Sequence, residues 1–80
     1  MMTFLIWSYR NRQWWRANMA GYTSEVAEAG RYNELKAGEI VVRSGLPSNN
    51  VAVHVTVAES ALAGKDANEV EDWIDEHKRW

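Results

Sequence analysis

Eighty residues suit a single domain, here 1–80, and a chain this short buries only about 60–65% of its unfolded surface. The absence of cysteine excludes a disulfide framework and any thiolate metal site, and fits a reducing compartment such as the cytoplasm. The net charge of −2 hides an asymmetry: residues 1–20 hold three arginines and no acid (+3), whereas residues 21–80 hold six basic and eleven acidic side chains (−5).

Thr3 to Tyr9 is rich in β-branched and aromatic residues and reads as a strand, with Gln13 to Arg16 as its hairpin partner. The turn Arg10-Asn11-Arg12 is short and polar, and Asn11 tolerates the positive φ that a tight hairpin wants. Side-chain alternation places Phe4 and Ile6 on one face and Leu5, Trp7 and Tyr9 on the other, with Trp14 and Trp15 opposed. One face is expected to be core and the other to stay aromatic. The N-terminal apolar stretch, Met1 to Trp7, has no basic region before it and is too short for a signal peptide. No apolar run approaches the roughly 20 residues of a membrane span.

Ala17 to Gly21 reads as a loop. Within Tyr22 to Tyr32, Thr23 or Ser24 is placed to cap a single helical turn over Glu25 to Ala29, ended by Gly30. Asn33 reads as the N-cap of a helix carrying Glu34 in its first turn. Ala37, Ile40, Val41 and Ser44 follow helical spacing, and Gly45 and Pro47 supply the stop. Gly38 and the β-prone Ile40-Val41-Val42 run argue for a strand instead, and the helix is preferred. After the loop Leu46 to Asn50, Val51, Val53, Val55 and Val57 alternate with Ala52, His54, Thr56 and Ala58, so a half-buried strand is expected over Val51 to Ala58. Asp66 to Trp80 reads as a helix. Asp66 and Glu69 have capping-box spacing, and Val70, Trp73, Ile74 and His77 form the inward stripe. Lys78 and Arg79 favour the last turn, and Asp75/Arg79 is an i, i+4 pair. The expected class is α+β: a small antiparallel sheet of three strands with two helices packed on its valine-bearing face.

Four sets of residues are candidates for contact. Trp7, Tyr9, Arg10, Arg12, Trp14, Trp15 and Arg16 interleave rings with guanidinium groups, a combination that stacks on bases and neutralises phosphates, or anchors protein interfaces. The plain alternative is a core of rings flanked by solvated arginines. Glu69, Glu71, Asp72, Asp75 and Glu76, near Trp80, make the last helix acidic, and the like-charge pairs Glu71/Asp75 and Asp72/Glu76 cost a helix a few tenths of a kcal/mol each. A helix that accepts this cost suits presentation of a negative face to a basic partner, or is simply solvated. His54 and His77 lack metal-ligand spacing and read as structural. The loop Ala17 to Thr23 beside Trp14, Trp15 and Tyr22 has the residues to line a small nucleotide-type pocket, although an ordinary connection explains it as well. No GxSxG, P-loop, GxGxxG or HExxH motif is present, so neither enzymatic activity nor a cofactor nor a metal is expected.

Phe4-Leu5-Ile6-Trp7-Ser8, Trp14-Trp15-Arg16-Ala17-Asn18, Gly21-Tyr22-Thr23 and Ala27-Glu28-Ala29-Gly30-Arg31-Tyr32 together resemble small uncharacterised proteins of bacteriophages and prophages. In these a WWR…GYT…AGRY pattern precedes a helix rich in Ala and Glu. The resemblance covers about residues 4–44 and names no activity. It supports the helix after Asn33 and implies a structural role for the motif. Small phage accessory proteins of this size and charge are similar to anti-defence inhibitors, anti-CRISPR proteins among them, which bind a host effector and block its working surface. The resemblance thus implies a non-enzymatic inhibitor of a host defence complex in the host cytoplasm, monomeric or homodimeric. A nucleic-acid-binding accessory protein using Arg10, Arg12, Trp14, Trp15 and Arg16 is the first alternative, and a small-molecule-binding protein the second.

Overall fold

The computed structural model describes residues 2–43 and 49–77. The expected positions of Ser44, Gly45, Pro47, Lys78, Arg79 and Trp80, most of the loop Leu46 to Asn50, and the Asp75/Arg79 pair lie outside them.

β1 (Thr3–Ser8) is the central strand of an antiparallel sheet. On one side it pairs with β2 (Gln13–Trp15) through Trp7/Trp14 and Ser8/Gln13, and with β4 (Tyr32–Asn33) through Thr3/Asn33 and Phe4/Tyr32. β3 (Tyr22–Thr23) continues the sheet beyond β2. On its other side β1 pairs along Phe4 to Ser8 with β5 (Asn50–His54). Among the described residues the fold is α+β and antiparallel, as expected, with five strands where three were predicted. The additions are β3 and β4, two residues each, too short to leave a period-2 signature.

The hairpin turn runs over residues 9–12, and Arg12 rather than Asn11 takes the left-handed conformation, at φ 55°. Asn11 is instead held by its own N–H and its side-chain amide, which both donate to the Ser8 hydroxyl at 3.1 Å. After β2 the chain makes a 3₁₀ turn at Ala17–Met19, and a second at Val26–Glu28 where one helical turn was predicted. Thr23 anchors this second turn without being its N-cap: its hydroxyl accepts from the Glu25 N–H and donates to Glu28.

α1 (Glu34–Arg43) starts as predicted, with the Asn33 Oδ1 accepting from the Lys36 N–H at 2.8 Å. α3 (Ala67–His77) opens with the predicted capping box: the Asp66 N–H donates to Glu69 at 3.0 Å, and the Glu69 N–H donates to Asp66 at 2.9 Å. The strand predicted over Val51 to Ala58 is corrected. It stops at His54, whose Nδ1 accepts from the Thr56 N–H, and the chain turns into α2 (Val55–Val57), which widens into a π-helical turn at Ala58–Leu62. Turning there buries Ala58 and Leu62, four residues apart, under the sheet, which a continued strand would not.

Both faces of β1 are core. Leu5 and Trp7 join Trp14, Val53, Ala58, Leu62, Val70 and Ile74 on one face. Ile6 joins Tyr32, Ala37 and Ile40 on the other, with Phe4, Trp15, Val41 and Ala52 packed around them. The predicted helices therefore divide, α1 on one face and α3 on the other, rather than sharing the valine face. Trp7 and Trp14, opposed in register, meet edge to face at 5.0 Å.

Candidate functional site

The Arg/aromatic hairpin is absorbed into the fold. Trp14 is 1% exposed and has no face to offer a base. The Trp7 indole N–H donates to Glu71 at 3.1 Å. Arg12 forms a salt bridge with the same carboxylate at 3.3 Å and donates to the Asn68 Oδ1 at 2.6 Å, which ties the hairpin to α3. The half-buried Trp15 donates to the Asn50 Oδ1 at 3.0 Å and meets Tyr22 edge to face. Arg16 pairs with Glu28 at 3.1 Å and donates to the Tyr22 carbonyl. Among the described residues Arg10 is the hairpin cation without an acid partner.

The residues of the WWR…GYT…AGRY pattern lock one another. The Gly30 N–H donates to the Trp15 carbonyl, the Arg16 N–H to the Gly21 carbonyl, and the Tyr32 hydroxyl to the Arg16 carbonyl while accepting from the Met19 N–H. Gly30 is needed for close approach: a Cβ there would lie 2.6 Å from the Ala17 nitrogen. Asn18 and Met19 hold left-handed φ of 58° within this lock. A cleft of about 420 Å³ beside them is lined by Asn18, Met19, Arg31, Asn33 and Lys36, and not by Trp14 or Trp15 where a small-molecule site was expected. Its cations are engaged. Arg31 donates to the Val26 and Ala29 carbonyls and to Glu59, and Lys36 stands 3.7 Å from Glu39.

The acidic helix separates into two groups. Glu69 is held in the capping box and Glu71 in the contact with Trp7 and Arg12, so both are structural. Asp72, Asp75 and Glu76 are exposed and form no ion pair among the described residues. Trp80 lies outside those residues. Tyr9 lies against this helix. Burial first, then the charges of Asp75 and Glu71, pushes its pKa above the usual tyrosine value.

His54 and His77, far apart in sequence, come to one place. With Val51, Val53, Val57, Trp73 and Ile74 they line an apolar groove of about 120 Å³ between β5 and α3. The His77 ring stacks on Trp73 at 4.0 Å, and His54 packs edge to face on Phe4. Nothing in the sequence pairs these two segments. The available sign is local: Asn50 to His54 contains no lysine, proline or acid to guard a strand edge. Among the described residues, no cluster of three or more His, Asp or Glu is placed to hold a metal ion, and no helix is long and apolar enough to cross a membrane. No known family model, curated protein or solved structure matches the chain.

Proposed function

We propose that this chain is a non-enzymatic binding protein that acts by protein contact through the outer face of α3, without a cofactor. The observation that carries the reading is the uneven use of charge. The hairpin's arginines and indoles serve mainly internal contacts, whereas Asp72, Asp75 and Glu76 on one short helix remain unpaired among the described residues. An exposed block of one sign steers and selects a partner of the opposite sign. Together with the phage resemblance of residues 4–44, this supports an inhibitor that covers a basic working surface of a host defence complex in the host cytoplasm. The nucleic-acid alternative loses Trp14 to the core and Arg12 and Arg16 to ion pairs.

The test is phage plaquing on a bacterial host carrying a nucleic-acid-targeting defence system, with this chain co-expressed. Restored plaquing is expected with the wild-type chain and not with the Asp72→Lys/Asp75→Lys/Glu76→Lys variant, whose exposed positions leave folding intact. A charge-reversed variant as active as wild type would overturn the reading.

A further inference from the structure

The groove between β5 and α3 lies along one edge of the sheet. Among the described residues β5 pairs with β1 alone. The register fixes which main-chain groups face outward. Tyr9 donates to the carbonyl of Asn49 directly opposite it, so Trp7/Val51 and Leu5/Val53 are the other hydrogen-bonded pairs, two residues apart each time. The intervening residue, Ala52, then points its N–H and C=O away from β1. Its side chain packs on the α1 layer, so what Ala52 offers the groove is main chain.

The groove is suited to one kind of occupant. Its volume, about 120 Å³, is below the roughly 300–1,000 Å³ of a small-molecule pocket and suits a single aliphatic side chain. Val57, Trp73 and Ile74 are apolar walls for it, beside an edge that takes main-chain hydrogen bonds. Along α3, Glu69, Asp72 and Glu76 stand three or four residues apart and flank Trp73, so among the described residues the rim beyond the groove is negative.

We infer that β5 accepts an added strand: an extended segment of a partner protein in which an aliphatic residue has basic residues two positions away on either side, so that all three side chains face α3. The aliphatic side chain enters the groove, the main chain pairs with Ala52, and the basic residues meet Asp72 and Glu76. Charge decides against a second copy as the occupant. Antiparallel pairing of two β5 edges would set the two acidic α3 helices side by side on one face of the joined sheet. This inference rests on the α3-contact reading and specifies the form of the partner.

The probe is a capped peptide in which a central Val has Lys two positions away on either side and Thr between them (Thr-Lys-Thr-Val-Thr-Lys-Thr), titrated into the ¹⁵N-labelled chain. Saturable binding is expected, with amide shifts centred on Ala52 and on the Trp73 indole. The same peptide with Glu in place of Lys, and the Lys peptide N-methylated at alternate residues, are each expected to bind at least about tenfold more weakly. Ala52→Pro removes the outward donor without touching the β1 ladder, and is expected to keep the fold and lose the peptide. If that variant does not fold, the N-methylated peptide decides the same point. Absent binding, or binding indifferent to N-methylation, overturns strand addition. If the charge-reversed α3 variant still abolishes activity on phage, a surface contact stands without the strand. If that variant remains active, the reading beneath falls instead.

Discussion

Gly30 and Tyr9 show how single residues settle the strand surroundings. The Gly30 position meets the backbone of Arg16 and Ala17, which cannot swing aside as a side-chain tip can. Gly30→Ala is therefore expected to destabilise the chain by about 3 kcal/mol, at the upper end for overpacking, measured by urea unfolding. A loss under about 1 kcal/mol would mean that the 3₁₀ turn at Ala17–Met19 yields. Tyr9 carries a pH signature. Its pKa is raised in the folded state, so folding holds the phenolic proton more tightly than the unfolded chain does. The stability this group confers is complete below about pH 10 and is lost as pH rises through the folded value. Urea midpoints between pH 8 and 11 are expected to fall less steeply for Tyr9→Phe than for the wild-type chain. Equal slopes would assign the alkaline loss to other groups.

At the scale of elements, capping chemistry was legible and strand ends were not. Asn33 and the Asp66/Glu69 box act within three residues, so sequence spacing alone describes them. The Val51 to Ala58 run shows the opposite case. Its alternation is real, yet Val51 and Val53 complete the strand's contribution, and the remaining valines turn into a helix that buries Ala58 and Leu62. In α1, Gly38 carries the ordinary helix penalty with no packing reason on this chain, since a Cβ there would meet nothing within 4 Å. Gly38→Ala is expected to stabilise by about 0.5–1 kcal/mol, raising Tm by roughly 2–8 °C. No gain in Tm would point to a conformation of α1 that needs the glycine.

For the molecule as a whole, β1 is shared by two cores. Leu5 and Ile6, adjacent in sequence, are each fully buried on opposite faces. Leu5→Ala and Ile6→Ala are each expected to cost about 2–5 kcal/mol. Because both layers hang on one strand, each variant is expected to unfold in one transition, with fluorescence and circular dichroism coincident. Separate transitions would show two independent layers. This sharing also accounts for the candidate surface. With both faces of the central strand covered, the aromatic hairpin has little left to present, and the edge of β5 and Asp72, Asp75 and Glu76 of α3 lie outside the packing.

By itself the sequence determined the α+β class, the β1–β2 hairpin, the N-terminal caps of α1 and α3 and the acidic character of the last helix. These depend on neighbours within one turn or one hairpin. Tertiary structure alone decided that both faces of β1 are buried, that Glu71 serves Trp7 and Arg12 while Asp72 and Glu76 stay exposed, and that His54 and His77 share a groove. The reason is that burial and pairing across tens of residues depend on which surfaces the packed elements exclude from water, a property no local pattern contains.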